Sequence, residues 1–98
     1  MFSKLKQVKE LRDQAKKIQN TLADETVEAT AAWGKVKMVM NGNQEVLSVT
    51  IDPELVVAEK KDTLEKAIKE VTNDSIKKVQ KVMAQKVQKM GGLSNLGL

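Results

Sequence analysis

From Ser75 to the C-terminus the chain carries Lys77, Lys78, Lys81, Lys86 and Lys89 and no acidic residue, a local charge of +5 that exceeds the +4 of the whole 98-residue protein. Near the other end Lys4, Lys6, Lys9 and Arg12 are opposed within the first twelve residues only by Glu10. Clustered ammonium groups suit a polyanion: neutralising Z phosphates of a duplex releases condensed counterions and makes log K fall with log salt with a slope near −0.9Z. Few arginines and no Asn/Gln-decorated recognition surface point to backbone contact with little reading of bases. The alternative is simple solvation of an outer helix face, the commoner use of helical lysine.

Other chemistry has little to stand on. Histidine and cysteine are absent, which removes the commonest general base, the thiolate nucleophile, disulfides and thiolate metal sites. Neither a GxGxxG nor a Walker-type loop occurs. Glu65, Glu70 and Asp74 share a helical stretch, but Glu65 and Lys69 stand at i and i+4, as exposed charge partners do. No enzymatic activity, metal or cofactor is expected. The one Trp, Trp33, is placed at a hairpin tip, where covering one end of a small core is preferred over acting as a wedge between base pairs; Met38 and Met40 are assigned to the sheet core.

The elements that must position the lysines follow from periodicity. Val8, Leu11, Ala15, Ile18 and Leu22 recur at steps of three and four, predicting a helix from Lys4 to about Asp24 with Ser3 as N-cap. Alternation then takes over, with Val27, Ala29 and Ala31 on one face of a first strand and Val36, Met38 and Met40 on one face of a second. A two-residue turn at Trp33-Gly34 sets Ala31 against Val36, Ala29 against Met38 and Val27 against Met40. For the next hairpin a turn at Asn41-Gly42 would oppose Met38 to Glu45; a four-residue loop from Asn41 to Gln44 opposes Met38 to Leu47 and Val36 to Val49, and is preferred.

Asp52-Pro53 ends the sheet and starts a short turn capped by the aspartate. The spacing of "DTLE" predicts a capping box at Asp62, opening a second helix to about Met90 whose seam slips near Asn73-Asp74-Ser75. Gly91-Gly92 stops it. The expected organisation is one α+β domain over residues 1–90, with a long N-terminal helix, a three-stranded antiparallel meander and a long C-terminal helix, followed by a flexible Gly-rich tail over 91–98.

A helix of about 40 Å overshoots strands of about 20 Å and needs another surface for its stripe. An antiparallel helical pair in each subunit, putting both basic clusters at one end, and a homodimer joined through the sheet and the proximal helices satisfy this, and the aliphatic core is small enough to favour a dimer. No apolar run reaches the length of a membrane helix, and the charged start does not resemble a signal peptide, so a cytoplasmic protein without a membrane partner is expected. A helical adaptor that binds a protein partner through its seams is the competing reading. A membrane-surface helix is disfavoured by an apolar face without aromatics.

The segment "GKVKMVMNGNQEVLSVTIDPELV" resembles the signature of the YbaB/EbfC family of bacterial nucleoid-associated proteins at Gly34, Val36, Met38, Asn41, Gly42, Glu45, Val46, Val49, Ile51, Asp52, Pro53 and Leu55. The flanks "LRDQAKKIQNTLADETVEA" and "TLEKAIKEVTNDSIKKVQ" resemble the family's first and last helices, while "MFSKLKQ" departs from its Gly- and Met-rich start. The resemblance implies a tweezer-like homodimer with protruding helices that binds double-stranded DNA with low sequence specificity, acts in nucleoid organisation and gene regulation, and has no enzyme activity. The DNA-contacting candidates, Lys4, Lys6, Lys9, Arg12, Lys77, Lys78, Lys81, Lys86 and Lys89, come from charge.

Overall fold

A computed structural model describes residues 2–89. In chain order it contains α1 (Phe2–Ala23), β1 (Thr26–Ala31), β2 (Val36–Asn41), β3 (Val46–Ile51), two short 3-10 turns (Pro53–Leu55 and Ala58–Lys60) and α2 (Lys61–Lys89). The strands form one antiparallel sheet in the order β1-β2-β3. Met90 and the expected tail, 91–98, lie outside the described residues.

The first hairpin has the expected register, with Ala31 opposite Val36, Ala29 opposite Met38 and Val27 opposite Met40. Its turn is closed by the Lys35 N–H donating to the Ala32 carbonyl at 3.1 Å. Trp33 and Gly34 at its centre have φ of 58° and 83°, the mirror-image turn whose twist matches that of the strands. Trp33 does not cover the core: it is 95% exposed. Two positive φ values place the ring outside the end of the sheet, and Ala31, Val36 and Ala67 fill that end without it.

In the second hairpin Met38 lies opposite Val49 and Val36 opposite Ile51, two residues beyond the expected pairing. Two local irregularities account for the shift. The loop is a turn from Asn41 to Gln44, closed by Gln44 N–H to the Asn41 carbonyl at 3.0 Å, after which Gln44 takes φ 62° and Asn41 pairs with Glu45. Beyond it Met40 faces Val46 but Val39 faces Ser48, so Leu47 is an extra residue on β3, a β-bulge. Val49 and Ile51 keep the apolar face because the shift is even.

α2 lies across β1 and β2, burying Ala67, Val71, Ser75 and Val79 against Ala29, Ala31, Val36, Met38 and Met40. All of the buried core cluster except Leu55 lies in this contact, and burial of apolar area is worth about 25 cal/mol per Å². Ser75 explains the apparent slip of the seam: it occupies the core position midway between Val71 and Val79, so the helix runs on unbroken. Its hydroxyl is buried without a hydrogen-bond partner.

Both expected caps move. α1 already includes Ser3, and α2 grows directly out of the second 3-10 turn, whose cap residue is Val57, leaving Asp62 inside the first helical turn. Asp52 does cap the first 3-10 turn, its Oδ1 accepting from the Glu54 N–H at 2.9 Å, with Pro53 next in the chain.

α1 is not paired with α2 along its length. Residues 4–17 are all exposed, including Leu5 and, from the expected seam, Val8, Leu11 and Ala15; Ile18 is half-buried and Leu22 buried. The helix is held at its C-terminal end and projects, giving principal extents of 65 × 22 × 18 Å and a radius of gyration of 18.6 Å, against about 13 Å for a compact chain of this length.

Candidate nucleic-acid interface

The anchor of α1 is the β2–β3 loop. The Gly42 N–H donates to the Leu22 carbonyl at 2.9 Å and to that of Glu25 at 2.8 Å, and the Asn43 side-chain amide donates to the Gln19 carbonyl at 2.9 Å. Leu22 is among the last four residues of α1, whose carbonyls have no partner within the helix, and Gln19 lies one residue before them, so the loop works as an external C-cap. A Cβ at position 42 would lie 2.6 Å from the Leu22 carbonyl oxygen, so only glycine permits the approach. Asn41 holds the loop in shape: Oδ1 accepts from the N–H groups of Asn43 (2.9 Å) and Glu45 (3.1 Å), and Nδ2 donates to the Glu45 carboxylate at 3.0 Å.

The nine candidate basic residues on this frame fall into two groups. Lys4, Lys6, Lys9, Arg12, Lys77, Lys81 and Lys89 are exposed, and among the described residues none forms an ion pair. Lys78 and Lys86 are committed to the fold. The Lys78 ammonium donates to the Glu28 carbonyl at 2.7 Å, tying α2 to the outer edge of β1 and occupying an acceptor on that edge strand. Lys86 lies 2.8 Å from Glu25, both side chains about one-third exposed (33% and 32%), and holds the distal part of α2 beside the base of α1.

The clusters do not merge into one patch within a chain. Arg12 to Lys4 span about 16 to 28 Å of helix measured from Ala23, whereas Lys86 is fixed two residues beyond Ala23, at Glu25. The α1 group sits on the projecting arm. Lys77 and Lys81 stand over the sheet, and Lys89 ends the described part of α2.

At the opposite end Lys35 donates to the Glu54 carboxylate at 2.6 Å, and the Asp52 N–H donates to the Lys35 carbonyl at 2.8 Å, strapping the β1–β2 turn to the first 3-10 turn. The hydrogen bond to Glu54, and then its charge, raise the Lys35 pKa above the ordinary 10.5. Sequence reasoning placed no function here; its only signal was a tryptophan in a tight turn. The described residues contain no group of three or more His, Cys, Asp or Glu able to hold a metal ion, and no helix long and apolar enough to cross a membrane.

The structure also leaves apolar surface open. Because α2 roofs only β1 and β2, Val46, Leu47 and Val49 of β3 stay 44–54% exposed, and Val56 and Val57 beyond it are 63% and 47% exposed. Such a run at a sheet edge is of the kind that protein contacts cover.

A family model, the YbaB/EbfC DNA-binding family, matches residues 1–94. A nucleoid-associated protein of Syntrophobacter fumaroxidans is 43% identical over 98 residues, covering 99% of this chain and 89% of that protein. One of Thermoanaerobacter pseudethanolicus is 36% identical over 95 residues, covering 96% and 86%. The crystal structure of an uncharacterized protein from Helicobacter pylori has the same fold, with a TM-score of 0.68 at 19% identity over 85% of this chain and 96% of that one. With its Asn-Gly loop, its Ile-Asp-Pro strand end and its two basic helices thus accounted for, the chain belongs to the YbaB/EbfC DNA-binding family.

Proposed function

We propose that the protein binds double-stranded DNA as a homodimer, with low sequence specificity, through lysines on its projecting helices, and acts in the cytoplasm on nucleoid organisation and gene regulation. The observation that carries the reading is the set of seven exposed cations, Lys4, Lys6, Lys9 and Arg12 on the projecting α1 and Lys77, Lys81 and Lys89 on α2. Ammonium groups on flexible stems meet phosphates as point charges and leave base edges unread. The uncovered apolar run on β3 and Val56-Val57 supports a second copy as the partner that covers it.

Reversal of Lys77, Lys81 and Lys89 to glutamate tests this. It should weaken binding to a random-sequence duplex strongly and flatten its salt dependence while leaving the fold and oligomeric state intact; unchanged binding overturns the assignment. Lys78 and Lys86 are poor choices for reversal, because their loss detaches α2 from β1 and from Glu25.

One observation favours the adaptor reading: the bare seam of Leu5, Val8 and Leu11 on α1. If a protein partner lies there, Leu11→Ala will abolish its capture and leave DNA affinity unchanged.

A further inference from the structure

We propose that the β1–β2 tip is a second DNA contact, in which the Trp33 indole stacks on a base step of the duplex; this rests on the DNA-binding reading above. Trp33 is 95% exposed, and the chain offers it no covering surface. Its backbone is held at φ 58°, between Ala32 at 52° and Gly34 at 83°. A left-handed conformation is unfavourable for alanine and tryptophan and costs glycine nothing, so the turn keeps strain where it presents the ring outward.

The surroundings carry both signs of charge: Glu70 stands with Lys66 in the groove beside the ring, so the stacking ring rather than charge supplies this contact. Lys37 lies on the polar face of β2, and Lys66 of α2 lines a groove shared with Ala32, Trp33, Thr63, Ala67 and Glu70. The nearer Lys35 is neutralised by Glu54. A two-stranded ribbon ending in a two-residue turn is narrow enough to enter a groove of DNA, and inserted apolar wedges unstack base steps. An aromatic face stacks on any base, which fits binding of low specificity. Lys66 beside the tip and Lys86 at the base of α1 are separated by about 30 Å of α2, so the tip is a contact site apart from the arm.

Trp33 is the single tryptophan in a chain without tyrosine, so its emission reports this site alone. The full-length protein is titrated with a random-sequence duplex carrying a fluorescent label, reading label anisotropy and tryptophan emission together. The expected result is quenching of Trp33 at saturation. Trp33→Ala and Trp33→Gly should each lose roughly 5- to 150-fold in affinity with an unchanged log–log salt slope, because stacking displaces no counterion, and Trp33→Phe should restore most of the loss. Glycine suits the turn, so Trp33→Gly separates loss of contact from loss of fold. Unchanged emission at saturating DNA, with binding confirmed by the label, overturns the proposal and leaves the lysine interface standing. A shift of emission with protein concentration in the absence of DNA overturns it in favour of a protein contact. Absence of any rise in anisotropy with the unaltered protein would remove both this contact and the function on which it rests.

Discussion

The two turns of the meander are built from similar parts and serve opposite ends. Each has a glycine near its centre and at least one non-glycine residue at positive φ. The β2–β3 turn is tucked in: Asn41 and Gly42 are buried, Asn41 satisfies two backbone N–H groups, and Gly42 and Asn43 supply donors to the last turns of α1. The β1–β2 turn points outward, with Trp33 almost wholly exposed between two left-handed neighbours, Ala32 half-buried against the core and Gly34 exposed. The difference shows that a sharp turn signal announces a turn and leaves its use open. One glycine is required by a neighbour's carbonyl, the other by its own φ.

That contrast can be broken most forcefully at Gly42. Replacing it by alanine forces the Leu22 carbonyl away and should cost about 2–3 kcal/mol, as overpacked sites do, with selective loss of amide protection in α1 measured by hydrogen exchange. Asn41→Ala follows, at about 2 kcal/mol, from two backbone donors left short of an acceptor; denaturant midpoints should fall with an unchanged m-value. Smaller and opposite in sign is Trp33→Gly, which should stabilise the fold by about 1 kcal/mol through relief of the left-handed conformation, read in the same denaturation experiment. If it destabilises instead, the ring has a folded-state partner and the two turns are less different than they look.

The smallest effect belongs to the strap beneath the exposed turn. Lys35 has a folded-state pKa raised by Glu54, so its contribution is fully present below the unfolded value of 10.5 and is lost as pH rises through the higher folded value. Lys35→Met should abolish only that alkaline component of the stability profile.

Much of this architecture was legible in the sequence, because period-two and heptad patterns state which face is buried. The β1–β2 register followed from alternation and a two-residue loop. The β2–β3 register did not, since the extra residue Leu47 and the left-handed Gln44 change pairing without changing the alternation of Val49 and Ile51. Ser75 read as a break because a small hydroxyl residue carries no apolar signal, although its spacing from Val71 and Val79 could have placed it in the core. Trp33 was misplaced because hydrophobicity suggests burial, whereas the turn's positive φ directs the ring outward. Of the nine basic residues singled out by charge, seven are exposed and, among the described residues, unpaired, and Lys78 and Lys86 are not free. Only three-dimensional contacts reveal that those two are tied to Glu28 and Glu25.

The most direct test of the central claim is the affinity of the full-length protein for a random-sequence duplex, measured across salt beside a sizing measurement of its oligomeric state. The account predicts a dimer whose log K falls linearly with log salt, the slope near −0.9 for each phosphate neutralised and reduced in step with each exposed lysine removed. A monomer, or an affinity indifferent to salt, would contradict it.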